Sequence, residues 1–373
     1  MSHALLYHPK ARRARTWLRS LLLAGAASLG IATGVGSCAA PFDSAGLVNS
    51  LRILSIDINR PSDDDPDVFV SGSFAKPGDT VTFTMNFFDG RPTEGEFTSP
   101  QIVWLGGCFN PPGNQYYGCY ESLGELFASL GSGDLPPEIG FDPAFDLTLP
   151  MDILSNVPEP SSGPKVGTGY VFFMACAGQI GPVDQEGATA AGSFPVGCFA
   201  KDGSQLGPEA FVPGYTQVFV FDDARMNNNP PVEGVSWDGE LLESGAIPRV
   251  PFCSVSLEDR KLSGCAATDE FTECTTVEID IDVPDDVADE DPGSPDADGN
   301  NLNEVVWVSY FATGGEFESE IKLVSDATKG IQTESRTTKW VPPIDPGLYE
   351  LWAVTRDNRG GSTTIRHTIE VTD

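Results

Sequence analysis

The sequence predicts an all-β protein with two Ig-like β-sandwich domains and long loops, preceded by a cleaved signal peptide. Gly supplies 40 and Pro 30 of the 373 residues. These turn formers separate short runs that are rich in β-branched and aromatic residues. No long amphipathic helix is evident. The 336 residues that follow the signal peptide are enough for about two domains at the usual ~100–200 residues each.

Residues 1–37 have the pattern of a secretory signal peptide. The first 20 residues carry five basic residues and no acidic one, and the uncharged run from Leu21 to Ser37 follows. This run of 17 residues is shorter than the roughly 20 mainly apolar residues that span a bilayer as a helix. We therefore expect export and removal of the segment rather than a permanent transmembrane anchor.

The segment ends in Val35-Gly36-Ser37-Cys38, which resembles the lipobox of bacterial lipoproteins. The resemblance implies that Cys38 is acylated and becomes the new amino terminus. Two or more acyl chains hold a protein stably on a membrane. Ala39 stands where Asp would often mark inner-membrane retention, so the resemblance implies the outer membrane or the cell surface. The alternative is an ordinary signal peptide with a chance cysteine.

The first domain is predicted over 51–225, after a tether at 38–50. Its clearest strand alternates Val81, Phe83, Met85 and Phe87 with Thr80, Thr82, Thr84 and Asn86, which places the apolar set on one face. Further strands are predicted over Leu51–Ile58, Ile102–Leu105, Tyr170–Met174 and Thr216–Phe221, and a short helix over Glu121–Leu130.

The second domain is predicted over 233–373, after a polar, proline-containing linker at 226–232. Residues 280–303 are rich in Asp, Pro and Gly, and we expect a solvent-exposed acidic loop. The chain should end in a β-hairpin. Leu348–Arg356 forms its first strand, and Ile365, His367, Ile369 and Val371 alternate with polar residues in its second.

The segment Pro77-Gly78-Asp79-Thr80-Val81 resembles the opening of many bacterial Ig-like modules, and Gly347–Gly361 is similar to the closing hairpin of PKD-type domains. Together with the lipobox and the segment Phe172–Gly178, these motifs resemble surface lipoproteins of myxobacteria-like bacteria. The motifs are structural, so the resemblance implies fold and location and no chemistry.

The charge of the chain argues against nucleic acid as a partner. Without the signal peptide, 17 Lys and Arg stand against 54 Asp and Glu, a formal charge of −37. Such a surface repels phosphate backbones. It could instead attract cations or keep the protein soluble in salty water, and a solvated acidic surface is the favoured interpretation.

Seven cysteines follow Cys38, and none forms a CxxC pair that would suggest a zinc ribbon. In an oxidising compartment disulfides are expected. Cys108–Cys119 and Cys176–Cys198 are the natural local pairs. Cys253, Cys265 and Cys274 then supply one bridge and one odd thiol, and the sequence does not choose among them.

Familiar catalytic centres lack their residues. Only His367 remains after the signal peptide, on the apolar side of the last strand, where a structural role is expected. The sequence contains no GxSxG elbow, and Gly167-Thr168-Gly169 precedes a strand without a third glycine. The chain is therefore predicted not to be an enzyme, with a hydrolase working through two carboxylates as the least favoured alternative.

One segment has the pattern of a metal loop. Asp296, Asp298 and Asn300 offer oxygen ligands at alternating positions around Gly299, which suits calcium. The pattern departs from the EF-hand, because the glycine is fourth and Trp307 occupies the twelfth position. A solvated acidic loop is the alternative.

The sequence thus predicts a non-catalytic, lipid-anchored binding, adhesive or envelope-scaffold module, whose partner is a surface protein or a glycan. A calcium-dependent carbohydrate-binding module is the alternative. Tyr116, Tyr117 and Tyr120, in or beside the segment between Cys108 and Cys119, form a candidate contact loop. Packing of that loop against the sandwich is the competing interpretation.

Overall fold

The fold is described from a computed structural model. It covers residues 44–62, 69–91, 99–129, 136–161, 163–183, 196–223, 225–256, 274–295, 299, 301–333 and 336–373. Two β-sandwiches follow each other along the chain, as the turn-rich composition predicts. Among the described residues, no helix has both the length and the apolar character needed to cross a membrane.

The first sandwich contains strands that end before residue 221 and one α-helix. The strands are β1 Leu51–Pro61, β2 Phe69–Ser71, β3 Phe74–Ala75, β4 Thr80–Asp89, β5 Gln101–Phe109, β6 Ile139–Gly140, β7 Ala144–Thr148, β8 Gly167–Cys176, β9 Gln179–Pro182, β10 Val196–Phe199 and β11 Phe211–Val220. The helix α1 spans Tyr120–Ser129, and 3-10 turns lie at Pro112–Asn114 and Tyr116–Cys119.

Its two main sheets have the strand orders β2-β1-β4-β7 and β3-β11-β8-β5-β6, and β9 and β10 form a hairpin. The alternation in β4 has the predicted effect, because Val81, Phe83 and Met85 are buried between the sheets. Trp104 lies at the centre of this core with no exposed surface. Its ring stacks on Phe145 with centroids 5.9 Å apart, and its Nε1–H donates to the carbonyl of Asp142 at 2.8 Å.

The five-stranded sheet of this sandwich is covered on both faces. Alternate residues of β8 point away from the inter-sheet core, and Tyr170, Phe172 and Met174 form a second cluster on the outer face. Leu123 of α1 and Cys119 complete that cluster. Because both faces are covered, β8 is buried along its whole length. The segment between β5 and α1 is therefore a lid on the sandwich.

The second sandwich contains the strands from Gly234 to Thr372. They are β12 Gly234–Trp237, β13 Glu240–Leu241, β14 Arg249–Pro251, β15 Val277–Asp282, β16 Glu290–Pro295, β17 Asn301–Asn303, β18 Val306–Ala312, β19 Glu316–Phe317, β20 Ile321–Asp326, β21 Gly330–Ile331, β22 Thr338–Val341, β23 Gly347–Asp357 and β24 Ser362–Thr372.

The sheets of the second sandwich have the orders β13-β12-β15-β22-β19 and β14-β24-β23-β18-β20-β21. The terminal hairpin is confirmed, with Leu351 opposite His367 and Ala353 opposite Ile365. Trp340, Tyr310 and Phe317 lie in the core between these sheets. The Nε1–H of Trp340 donates to the carbonyl of Gly314 at 3.1 Å, so its polar atom is satisfied inside the core.

The acidic segment 280–303 is more regular than the loop that its composition predicts. Strand β15 runs on to Asp282, and β16 and β17 pair as a small hairpin. Ile281 and Val287 are buried. These two apolar side chains enter the sandwich core. The loop was predicted from the overall acidic composition of the segment, which does not reveal two individual buried residues.

The described part of the predicted tether, residues 44–50, is bound to the second sandwich. Leu47 forms a parallel bridge with Ala312 of the second sandwich, and the amide of Val48 donates to the Ala312 carbonyl at 2.8 Å. The hydroxyl of Ser44 donates to Glu320. Residues 44–48 thus cross the second sandwich before β1 enters the first one.

The two sandwiches share an apolar contact. A bulge in β1 shifts the register between Ile53 and Ser55, and Leu54 joins a cluster with Trp352 and Val354 of β23. Bulges commonly re-aim a side chain in this way. Phe88, at the end of β4, packs on Trp352 with ring centroids 4.8 Å apart.

Polar contacts surround this apolar centre. The hydroxyl of Ser362 donates to Asp57 Oδ1 at 2.8 Å, and the hydroxyls of Ser55 and Thr364 lie 2.9 Å apart. The guanidinium of Arg356 donates to the carbonyl of Leu54. Apolar and polar contacts therefore join the two sandwiches side by side.

The linker is bound rather than free. Asn227 is 2% exposed, and its Nδ2 donates to Asp357 Oδ2 at 2.9 Å and to Ser73 Oγ at 3.1 Å. Asn228 donates from its amide and its side chain to Asp289. The linker asparagines thus connect the two sandwiches through the closing hairpin.

Candidate functional site

The lid over the outer face of the first sandwich is held by a disulfide. Cys108, near the end of β5, pairs with Cys119, with Cα atoms 5.7 Å apart. Asn110 has a φ of 45°, a left-handed conformation that asparagine tolerates better than most residues. Its side chain accepts from the amide of Thr168 at 2.8 Å and donates to the carbonyl of Ile153 at 2.6 Å. Both ends of the lid are therefore fixed.

Four tyrosines meet on this lid and on the neighbouring strand. We name Tyr116, Tyr117, Tyr120 and Tyr215 the tyrosine shelf. Tyr116 stacks on Tyr215 of β11 with centroids 4.5 Å apart and planes inclined by 18°. Tyr117 and Tyr120 meet Tyr116 edge to face at 5.9 and 6.2 Å. Such offset and edge-on arrangements are the favoured geometries of aromatic pairs.

The shelf is both packed and exposed. The exposed fractions of Tyr116, Tyr117, Tyr120 and Tyr215 are 37%, 57%, 48% and 46%. Beneath them lies Phe172, which is 2% exposed. The two interpretations of the loop are thus not exclusive, since Tyr116 packs against the sandwich through Tyr215 while the group still presents aromatic surface to solvent.

Buried neighbours support the shelf from below. The hydroxyl of Tyr170 donates to the carbonyl of Asn114 at 3.0 Å, which connects β8 to the lid. Burial, followed by the charge of Tyr215, raises the pKa of Tyr170 above its usual value. Burial, followed by Tyr116, also raises the pKa of Tyr120. These two phenols therefore remain neutral at physiological pH.

The shelf is poor in charge. It is built from residues 110–123, 170–176 and 211–220, and these segments contain a single charged residue, Glu121. In the whole chain 20% of residues are charged. Depletion of charge together with enrichment of aromatic residues is typical of the centre of a binding interface.

A cleft of about 410 Å³ lies between the two sandwiches next to the shelf. Ile53 and Ser55 of β1, Thr216 of β11, and Arg356 and Ser362 of the closing hairpin line it. Tyr215 also lines this cleft, so one residue belongs to both features. The cleft and the shelf thus adjoin at Tyr215.

The cleft offers little acid–base chemistry. Among the described residues that line it, Asp357 is the one carboxylate. Its Oδ1 accepts from the amides of Arg359 and Gly361, each at 2.8 Å, and its Oδ2 accepts from Asn227. Burial raises the pKa of Asp357, while these hydrogen bonds act in the opposite direction. Glycoside hydrolysis through carboxylates requires a second acid facing the first.

Glu304 lies behind the cleft at the junction of the sandwiches, and it is 1% exposed. Its Oε1 accepts from the amide of Asp289 at 3.0 Å, and its Oε2 lies 3.7 Å from Arg359 Nη1. Burial raises the pKa of Glu304 from 4.5 to about 7. Its buried contacts with Asp289 and Arg359 fit a structural role.

The cysteine pairs predicted from spacing are present. Cys176 pairs with Cys198, and Cys253 pairs with Cys274, with Cα distances of 5.5 and 5.2 Å. This resolves the choice that the sequence left open for the third bridge. Cys265 lies outside the described residues.

Other predicted site residues also lie outside the described part of the chain. They are the lipidation site Cys38 and the calcium candidates Asp296, Asp298 and Asn300. The lipid and calcium hypotheses therefore stay predictions. Over the residues that the structure does describe, no group of three or more His, Cys, Asp or Glu side chains is arranged to hold a metal ion.

His367 is half-buried on the core side of β24, opposite Leu351. Burial lowers its pKa below the usual value. A neutral imidazole packed against the sandwich fits the structural role expected from the sequence.

Sequence reasoning missed Tyr215 and the cleft. Tyr215 stands in β11, whose predicted strand begins one residue later, at Thr216. Its place in the strand pairing could have identified Tyr215 as part of the site. Tyr215 lies opposite Phe172, and Phe172 faces outward beneath the lid. No local sequence pattern predicts the cleft, because the residues that line it are far apart in sequence.

Comparisons with known proteins give no relative. No family model matches the chain, and no curated protein matches it. Among solved structures, the D00-D0 domain of intimin is 8% identical with a TM-score of 0.21, covering 85% of this chain and 100% of that one. The C-terminal domain of the Streptococcus pyogenes antigen I/II-family protein AspA is 10% identical with a TM-score of 0.19, covering 86% and 100%. Scores this low carry no argument about function.

Proposed function

We propose that the protein is a non-catalytic, lipid-anchored module of the bacterial surface that binds its partner through the tyrosine shelf. The observation that carries the proposal is the shelf itself, four exposed tyrosines fixed by a disulfide on a rigid sandwich. Aromatic residues on a supported surface are the usual anchors of binding interfaces. Rigid support lowers the entropy cost of binding.

The proposed location of the protein, on the outer membrane, is supported by two features. Three disulfides are typical of proteins exported to an oxidising compartment. The segment Val35-Gly36-Ser37-Cys38 at the end of an uncharged run supports acylation of Cys38, and Ala39 supports transfer to the outer membrane. The chain from Ser44 onward is bound to the second sandwich, so at most a short spacer separates the folded body from the lipid.

The anchor is tested by fractionation of a Gram-negative host that produces the full chain. The parent should label with palmitate and sediment with the outer membrane, because its lipid cannot leave the bilayer. The Cys38→Ala variant should lose the label and appear in the soluble fraction. Membrane retention of an unlabelled parent would contradict the anchor.

The binding surface is tested with the released Cys38→Ala chain and isolated bacterial envelopes. Adding Tyr117→Ala and Tyr120→Ala should lower envelope binding at least tenfold, because both rings are exposed anchors. Leu348→Ala is the matched control, since Leu348 is 68% exposed on the second sandwich. Equal binding by the tyrosine variant and the control would show that the shelf is not the contact surface.

A further inference from the structure

The shelf and the cleft together have the dimensions of a site for an extended small ligand. A cavity of about 410 Å³ falls within the range of roughly 300–1,000 Å³ that is common for ligand pockets. Tyr215 lines the cleft and also stacks on Tyr116 of the shelf, so the two features lie next to each other.

The polar groups around these rings suit a ligand that carries many hydroxyls. Of the hydroxyl-bearing residues that line the cleft, Ser55 and Ser362 are buried and already bonded to Thr364 and Asp57, which leaves Thr216. Asn114 and Gln115 are exposed next to Tyr116, and their amides both donate and accept. Gln217 lies beside Tyr215 and opposite Tyr170 on the same face of the sheet. Hydroxyl groups also donate and accept, so such partners match without a fixed charge.

The aromatic rings suit the C–H faces of a sugar. The face of an aromatic ring carries negative electrostatic potential, which attracts weakly positive hydrogens. The exposed leucine and isoleucine side chains that would favour an apolar protein anchor, such as Leu348 at 68% and Ile321 at 63% exposure, lie on the second sandwich, although Met151 is 79% exposed on the first.

Charge argues against polyanions and cationic peptides as ligands. The formal charge of −37 repels polyanions over the whole molecule. Glu121 is the single charged residue in the segments that build the shelf, so a cationic peptide finds few carboxylates there. We infer that the tyrosine shelf and the adjoining cleft bind a neutral carbohydrate chain. This inference rests on the proposed function and names the ligand class of the same surface.

The test is affinity electrophoresis of the Cys38→Ala chain in native gels. The gels contain dextran, yeast mannan or a mixed-linkage β-glucan as neutral probes, and alginate as the anionic probe. At least one neutral polysaccharide should retard the protein, and alginate should not. Tyr117→Ala should weaken the retardation about tenfold, since one stacked ring is lost. Tyr117→Phe should retain most of it, and Leu348→Ala should migrate with the parent.

The possible failures are distinguishable. If no neutral polysaccharide retards the parent while envelope binding still depends on Tyr117 and Tyr120, the carbohydrate inference is wrong and the shelf binds a protein. If retardation occurs but is unchanged by Tyr117→Ala, the sugar binds elsewhere and the inference is also wrong. If envelope binding is independent of the shelf, the proposed function itself fails.

Discussion

The ring of Tyr116, in a loop closed by a disulfide, stacks on the ring of Tyr215 in strand β11, with centroids 4.5 Å apart. The two residues are 99 positions apart in sequence, and their contact fixes the candidate binding surface to the sandwich. Several consequences of this geometry can be measured.

The stacking of Tyr116 on Tyr215 should appear as a coupling energy. In a double-mutant cycle with Tyr116→Ala and Tyr215→Ala, we expect about 0.5–1.5 kcal/mol of interaction, the usual value for an aromatic pair beyond its buried area. Urea unfolding of the four proteins provides the measurement. A cycle between Tyr117 and Leu348 should give no coupling and serves as the control. Strict additivity for Tyr116 and Tyr215 would mean that their stacking does not support the shelf.

The Cys108–Cys119 bridge should stabilise the lid. It closes a loop with a sequence separation of 11 residues. Replacing both cysteines with Ser should cost about 3 kcal/mol, because the open loop gains conformational entropy in the unfolded state. Hydrogen exchange should rise more in residues 110–123 than in β23 and β24, where it rises only through the loss of global stability. Uniform exchange across both sandwiches would contradict a local role for the bridge.

Trp352 should couple the two sandwiches. It is 3% exposed and packs against Phe88 of the first sandwich. Trp352→Ala should therefore cost about 3–5 kcal/mol and divide a single calorimetric unfolding transition into two. Phe88→Ala should produce the same division from the other side of the contact, whereas Leu348→Ala should not. Two separate transitions in the parent protein would show that the contact does not couple the sandwiches.

Glu304 should make stability depend on pH. Its folded-state pKa of about 7 lies above its usual 4.5, so the folded protein binds more protons than the unfolded chain between these values. Its contribution to stability is therefore fully present below about pH 4.5 and is lost as pH rises towards 7, by up to about 3 kcal/mol. The facing groups Asp289, Asp357 and Arg359 are unchanged in the test variant.

Glu304→Gln removes this titration while its amide oxygen can still accept from Asp289. We expect the variant to be more stable than the parent at pH 8 and similar to it near pH 5, measured as the unfolding midpoint against pH. Glu240→Gln, the same charge change at an exposed site of β13, controls for net charge. A variant less stable than the parent at pH 8 would mean that the ion pair with Arg359 outweighs the cost of burying the carboxylate.

The strands were predictable where one face of the strand is buried and the other is exposed to solvent. The alternation around Val81 and Phe83, and the hairpin around Ile365 and Ile369, follow from period-two patterning. Burial on both faces erases that pattern, and β8 consequently extends well beyond the predicted Tyr170–Met174. For residues 280–303 the sequence predicts a loop where the structure has strands. The acidic composition of this segment conceals its two buried apolar residues, Ile281 and Val287.

The candidate site was only half predictable. Tyr116, Tyr117 and Tyr120 attract attention because they stand together beside two cysteines. Tyr215 and the cleft depend on which strands pair and how the sandwiches meet. Phe88 and Trp352 are a weak indication of the contact between the sandwiches, because each is a large aromatic residue on the outward face of its strand. Long-range contacts of this kind have no local periodicity.

Photo-crosslinking at position 117 on intact bacteria tests the central claim most directly. Benzoylphenylalanine replaces Tyr117 in one full-length protein and Leu348 in another, and both residues are highly exposed. The account predicts a light-dependent, higher-mass adduct from position 117 and none from position 348. Equal adducts at both positions, or an adduct from position 348 alone, would contradict the tyrosine shelf as the binding surface.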